Sequence, residues 1–437
     1  MQLEVEDLRN LRRCDRRLGD ALKPVLFASV RMDITSSLLL EHFAKKPFSF
    51  GPSVLNLAIT MPPHFTSNLV KDGPRALQIL EDALGKLSNV RAMRWNLNGT
   101  EDQPTIHAIL SYMSNLSSLR EWHLTGYTDL KFPFPFDYRP IRTLSVLSIT
   151  GPFGRIGRPL LHLIDANPAL TSLTLDVAWS DSNQEAFSFE NLPDMQRLEY
   201  LRLPRWKISA QTMPMPSLTA LDLTHTVAVT GLWAALQDQG IQLRNLTTSI
   251  LDRDLLGYLE SYAGIQNLAL VDLGSSYDAD ALTEALYERV VSLHGESLVS
   301  LTVESGIVAS EEWCLAKGNV KAFGKCHVLE YLSVSVNFSE LRDGITDAIL
   351  STAPPSLRSL NLTRCGILAH MSSAVAPISY LHAISTIARL LDPTIECSGT
   401  VVLGAEYVYQ LGRRVDKDGF VFRGYKRHYL ERDWLGH

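Results

Sequence analysis

The chain has few cysteines, no long apolar run and no surplus of positive charge, and each lack removes a class of protein. Five cysteines stand in 437 residues. They fall at Cys14, Cys314, Cys326, Cys365 and Cys397, an odd number without the spacing of a disulfide framework. Reduced thiols are therefore expected, and with them a cytoplasmic or nuclear location. The opening words, MQLEVEDLRNLRRCDRR, are charged and hold no apolar core of a secretory signal. No apolar stretch approaches the roughly 20 residues that cross a bilayer, so no membrane partner is expected. Lys and Arg total 41 against 47 Asp and Glu, a net charge of -6. Such a balance gives nucleic acid no general attraction, so none is expected as a partner. The hydrophobic share is 46% and the charged share 20%, an ordinary globular balance. A chain of this length buries about three quarters of its unfolded surface and needs neither disulfide nor metal to fold.

Motifs that carry chemistry are also scarce. There is no HExxH, and no Ser stands in a GxSxG elbow. Cys326-His327 has no second pair at zinc spacing. Asp278 and Asp280 lack the other ligands of a calcium loop and read as residues favouring the start of a helix. Gly151, Gly154 and Gly157 form GxxGxxG between a strand and a helix, with Asp176 downstream. This is not the GxGxxG of a dinucleotide site and no Lys-Ser/Thr follows, so a flexible repeat turn explains it with fewer demands. Asn-x-Ser/Thr triplets at Asn98, Asn115, Asn245, Asn337 and Asn361 read as products of a Leu-, Asn- and Thr-rich repeat. No catalytic residue, cofactor or metal is expected; an enzyme using the glycine loop is the weakest of three readings.

What is abundant is one short pattern: apolar, two residues, apolar, one residue, apolar. It runs through Val54-Leu57-Ile59, Val90-Met93-Trp95, Leu119-Trp122-Leu124, Leu144-Leu147-Ile149 and Leu170-Leu173-Leu175. It continues through Leu198-Leu201-Leu203, Leu218-Leu221-Leu223, Ile265-Leu268-Leu270, Leu298-Leu301-Val303, Leu329-Leu332-Val334 and Leu357-Leu360-Leu362. Leu243-Leu246 is a damaged copy with Thr248 in the third place. The mean spacing is about 27 residues, inside the roughly 20–29 of leucine-rich repeats. The stretch Leu357–Ile367 (LRSLNLTRCGI) is the fullest match to that family's LxxLxLxx(N/C)xL, with Cys365 at its Asn/Cys position. Helical spacing fills the gaps at Pro74–Leu87, Pro104–Leu116, Arg158–Ala166, Gly231–Gln239, Ala279–Leu293 and Leu341–Ser351. In the helix at 279–293, Leu282, Leu286, Val290 and Leu293 are expected on one buried stripe.

The resemblance implies an α/β fold, a leucine-rich-repeat solenoid or horseshoe with parallel strands on the concave side and helices on the convex side. The Pro-rich stretch Lys131–Pro140 reads as a loop insertion. In LxxLxLx strands the residues between the leucines face away from the core. They are Arg94, Asn96, His123, Ser148, Thr174, Asp176, Arg202, Asp222, Thr224, Thr302, Glu304, Ser333, Ser335, Asn361 and Thr363. A protein target on this concave face is the expected partner, and a monomer the expected state.

The ends differ from the middle, and the expected division is 1–50, repeats over 51–371, and a C-terminal cap over 372–437. In the last part Phe420–Trp434 mixes basic and aromatic residues, which read as a packed cap with snorkelling Arg and Lys. Near the start, Leu8, Leu11, Arg16, Arg17, Leu18, Pro24, Leu26 and Phe27 resemble the second half of an F-box, as found in fungal F-box proteins with leucine-rich repeats. The Leu-Pro pair and Ile/Leu-rich first helix that open an F-box are not present upstream of Leu8. The resemblance implies a substrate receptor that docks on the Skp adaptor of a cullin–RING ubiquitin ligase through Leu8, Leu11, Leu18, Pro24, Leu26 and Phe27. The alternatives are an N-terminal cap that seals the first repeat, and a repeat scaffold or regulator with no ubiquitin link.

Overall fold

A computed structural model describes residues 25–34, 51–60, 69–97, 103–126, 141–151, 158–177, 187–189, 192–226, 228–306, 313–336, 344–352, 354–364, 396–403, 407–413 and 420–425. The fold is α/β, built on a large parallel sheet. Two compact units divide it: Met1–Arg205 with Pro214–Ser217, and Trp206–Met213 with Leu218–His437. The division cuts through the repeated segment instead of falling at its two ends.

In the first unit the strands are β1 (Ser29–Asp33), β2 (Asn56–Thr60), β3 (Ala92–Leu97), β4 (Glu121–Gly126), β5 (Val146–Gly151), β6 (Ser172–Val177), the two-residue β7 (Phe187–Ser188) and β8 (Tyr200–Arg202). They pair in parallel in chain order, β7 alone standing outside this series. Parallel pairing needs a crossover between neighbours. Helices α1 (Leu69–Leu84), α2 (Gln103–Asn115) and α3 (Arg158–Asp165) lie in three of these connections. The register stacks the repeat onto itself, with Leu57, Met93, Trp122, Leu147, Leu173 and Leu201 in one row. Each member of that row is 1% exposed or less. Burial of one such aliphatic side chain stabilises by roughly 2 kcal/mol. The apolar positions of the pattern are thus the core, and the strand period of two sends the residues between them to the opposite, open face.

The second unit repeats the scheme with β10 (Ala220–Leu223), β12 (Asn245–Thr248), β13 (Asn267–Leu273), β14 (Ser300–Ser305), β15 (Tyr331–Val336), β16 (Ser359–Arg364) and β17 (Glu396–Leu403), all parallel. Strands β18 (Tyr407–Arg413) and β19 (Phe420–Tyr425) then add antiparallel. Its helices are α4 (Leu232–Asp238), α5 (Arg253–Glu260), α6 (Ala279–Ala285) and α7 (Ile345–Thr352), with a 3-10 helix at Lys317–Lys325. The damaged repeat still forms β12: Thr248 is fully buried, and its hydroxyl accepts from the Ile250 N–H at 3.1 Å. Strands β9 (Lys207–Ser209) and β11 (Ala228–Thr230) pair beside the main sheet and carry no sign in the repeat pattern.

Polar side chains fasten successive repeats. In three of them a buried group reaches back to the N–H of the first apolar residue of the preceding unit. Asn167 accepts from Leu144 N at 2.9 Å and donates to the Ile141 and Leu163 carbonyls at 2.6 and 2.7 Å. The Tyr258 hydroxyl accepts from Leu243 N at 3.1 Å and donates to Ile241 O at 2.9 Å. His294 Nδ1 accepts from Gly264 N and Ile265 N at 3.1 and 3.2 Å, while Nε2 faces Leu259 O at 3.0 Å. A serine just before the first leucine makes a second link. Ser118, Ser297 and Ser356 each donate to the corresponding carbonyl of the previous unit, Val90, Ile265 and Leu329, at 2.8 Å.

Several expectations need correction. Helix α1 begins five residues before Pro74, which therefore sits inside it without an N–H to give to the preceding turn. Leu293 is 43% exposed. Leu282, Leu286 and Val290 are buried as expected, and where helix α6 continues as a π-helix over Leu286–Val291 the buried face widens to take in Tyr287, Val291 and His294. Cys314 is disulfide-bonded, against the expectation of reduced thiols throughout. Cys314 itself is buried. Cys326 is free, and burial pushes its thiol up to about 11. The 131–140 insertion, and Leu8, Leu11, Cys14, Arg16, Arg17, Leu18 and Pro24, lie outside the described residues.

Candidate functional site

The open face of each sheet is the surface that the repeat leaves over once its leucines are buried. In the first unit one row across the strands reads Arg31, Ala58, Arg94, His123, Ser148, Thr174 and Arg202. The next row reads Asp33, Thr60, Asn96, Thr125, Thr150 and Asp176. Arg31 and Arg94 are exposed, and Asn96, His123, Ser148, Thr174 and Arg202 are half-buried. Arg31 Nε donates to Thr60 Oγ1 at 3.3 Å, which leans the side chain over β2. His123 Nε2 stands 3.9 Å from a Glu121 carboxylate oxygen. Burial first, and then the charge of Arg94, hold the His123 imidazole below its usual value, with Glu121 opposing them. Asp176 is buried at 8% exposure. Its carboxylate faces Arg205 Nη2 at 3.4 Å and Arg202 Nη2 at 3.9 Å.

In the second unit the corresponding rows are Asp222, Thr247, Ala269, Thr302, Ser333 and Asn361, then Glu304, Ser335 and Thr363 further along β14 to β16. These groups bond among themselves. Asp222 accepts from both the backbone N–H and the hydroxyl of Thr224. Ser333 donates to Glu304 at 2.7 Å and accepts from Asn361 Nδ2 at 3.0 Å. Ser335 accepts from Ser305 N at 3.0 Å. Ser333 and Ser335 are 0% and 1% exposed, so these two expected partner contacts are not at the surface. The segment Trp313–Leu315 runs across the strand ends there, with Trp313 Nε1 donating to Gly274 O and Leu315 N to Ser335 O. Asp222, Thr224, Thr302, Glu304 and Asn361 are half-buried; of Thr363 only its place in the register opposite Ser335 is described.

No known protein family matches the chain, and no curated protein does either.

Residues that the pattern did not single out also contribute. Arg205, His225 and Asp272 are the described non-glycine residues with positive φ, at 69°, 56° and 54°. Each is the eighth position of its unit, Arg205 and His225 just past their strands and Asp272 where the register of β13 shifts near its end. The left-handed region costs an L-residue about 1 kcal/mol or more. His225 Nδ1 meets Asp272 Oδ2 at 3.1 Å, and the His225 N–H is held by Ser249 Oγ at 2.8 Å. Only a comparison of eighth positions would have found them, because they share backbone geometry and not residue type.

Chemistry of other kinds has little support. Gly151, at φ 143°, lies where a Cβ would meet the Gly126 carbonyl at 2.5 Å, so this glycine is required for packing. Gly154 and Gly157 lie outside the described residues. A cavity of about 480 Å³ in the second unit is lined by Gln242, Arg244, Tyr262 and Gln266, among others, with no acid, thiol or imidazole. Among the described residues no three His, Cys, Asp or Glu side chains gather as a metal site, and no helix is long and apolar enough to cross a membrane.

Proposed function

We propose that the chain is a leucine-rich-repeat solenoid that works by holding another protein against the open, concave face of its strands. The observation that carries the reading is the register: one repeat aligns charged and hydrogen-bonding side chains into rows facing away from a continuous apolar core. Rows of mixed charge, hydroxyl and amide suit a polypeptide, whose backbone and side chains offer both donors and acceptors. The proposed wider role is that of a substrate-receptor-like component of a cullin–RING ubiquitin ligase, docked through its N-terminal segment on the Skp adaptor. The F-box-like words from Leu8 to Phe27 support it. The proposed location, cytoplasmic or nuclear, rests on that role, since the bonded Cys314 removes the thiol argument. No cofactor or catalytic step belongs to this function.

A scaffold with no ubiquitin link is the second reading, and one observation favours it. Leu26 and Phe27 are already half-buried beside β1, as a cap would be. The two readings separate in a pull-down with purified Skp adaptor, using the full chain and a chain lacking residues 1–24. That truncation leaves β1 and its pairing with β2 intact. Binding that disappears on truncation supports the receptor role. No binding by the full chain rejects the ligase role and leaves the scaffold.

A further inference from the structure

Arg31 and Arg94 occupy the same row on β1 and β3, with Ala58 between them on β2. Both guanidinium-bearing side chains are exposed. Among the described residues no carboxylate stands within ion-pair distance of either, so two positive charges flank a one-residue notch floored by a methyl group. The strands put their Cα atoms about 10 Å apart, twice the interstrand spacing. Arg31 already leans inward over β2 through its bond to Thr60, which narrows the gap between the charges. On an extended peptide, side chains at alternate positions lie on one side, about 7 Å apart. We infer that this notch binds an acidic polypeptide segment carrying carboxylates at alternate positions, Asp/Glu-x-Asp/Glu, one for each arginine.

The inference rests on the reading of the open face as a protein-binding surface and names what the first unit selects. Guanidinium forks bind carboxylates through paired, charge-assisted hydrogen bonds. A nucleic-acid backbone fits less well. Asp33, Glu121 and Asp176 share this face and would repel a polyanion running across it, while leaving discrete carboxylates room over Ala58. The methyl of Ala58 is what keeps the notch open: a larger side chain there would push the two arginines apart without changing the charge. The charge of Arg94 reaches His123 on the neighbouring strand.

The test is fluorescence anisotropy with the full chain and labelled synthetic peptides of the form Asp-x-Asp, their Asn-x-Asn counterparts and phosphoserine versions. The expected result is binding of the Asp peptide that weakens roughly tenfold in Arg31→Gln or Arg94→Gln, and as much in Ala58→Phe, which keeps both charges. Arg31 and Arg94 are surface residues, and circular dichroism of each variant checks that the fold is kept. Equal binding of Asp and Asn peptides, unaffected by the arginine variants, would overturn the acidic selection but leave protein binding on this face standing. Tighter binding of the phosphoserine peptide would overturn the assignment to carboxylates. Binding of no peptide would reject the notch, while the adaptor pull-down, which does not use these arginines, judges the ligase role separately.

Discussion

In the first unit Arg94 stands exposed beside His123, whereas in the second the same register of β15 holds Ser333, sealed and bonded to Glu304 and Asn361. Both units bury the same leucine pattern, so the difference lies wholly in what the intervening positions do. Long cationic side chains in the first unit reach past the sheet and keep their charge in solvent. Short hydroxyls and amides in the second satisfy one another across strands about 4.8 Å apart. A repeat can therefore present exposed charge in one stretch and internal cohesion in another without any change to its core.

The largest effects should come from the buried links between repeats, which the two units build from different residues. Asn167→Ala in the first unit would orphan Leu144 N and two carbonyls. It should cost about 3 kcal/mol in urea unfolding. Tyr258→Phe in the second would orphan Leu243 N and Ile241 O and should cost about 2 kcal/mol. Equal, negligible losses would show that the links are incidental.

A pH effect sharpens the contrast. Burial holds His294 neutral, below its usual 6.5. An imidazole held down in this way contributes stability that is present above pH 6.5 and lost as the pH falls from there toward its folded value. The slope in that window should reach at most about 1.4 kcal/mol per pH unit, and His294→Gln should flatten it. His123 shifts in the same direction, but it is half-exposed and opposed by Glu121, so His123→Gln should change the slope much less. The observable is the urea midpoint followed from pH 7.5 to 5, on the order of two units about the imidazole range.

A smaller effect concerns the left-handed residues. His225→Gly should stabilise by up to about 1 kcal/mol, because relief of backbone strain exceeds the loss of a hydrogen bond half open to solvent. Arg205→Gly should gain nothing or destabilise, since it strips a partner from the buried Asp176. Thermal melts of both variants decide it, and the same sign for both would undo the distinction.

The strands were legible because Leu57, Leu147 or Leu268 must be buried wherever the chain is extended, and period and burial then agree. Even the copy damaged at Thr248 kept its strand, since the hydroxyl finds Ile250 within two residues. Helix α5, Arg253–Glu260, escaped notice: it is short, and its buried residues Leu255, Leu256, Tyr258 and Leu259 crowd around Gly257. The serine links were visible as a Ser before the first leucine at Ser118, Ser297 and Ser356. The Asn167, Tyr258 and His294 links were not, because three unlike side chains do one task. For the site, alternation placed Arg94, His123 and Thr174 on the open face. It could not foresee that Trp313–Leu315 would cross the ends of β13 and β15, or that Ser333 and Ser335 would lie buried, which depend on contacts distant in sequence. Arg31 was missed because β1 belongs to no complete copy of the pattern.

If a polypeptide docks on the open face, and in the first unit at the Arg31–Arg94 notch, it must be reachable there by a chemical probe. An Asp-x-Asp peptide carrying a photoreactive group next to its acidic pair, cross-linked to the full chain and mapped by mass spectrometry, tests this most directly. Adducts are expected on open-face residues of β1 to β4, such as Ala58, Asn96 and His123, and should fall away in Arg31→Gln/Arg94→Gln. Adducts concentrated on helices α1 and α2 or in the second unit, and indifferent to those substitutions, would contradict it.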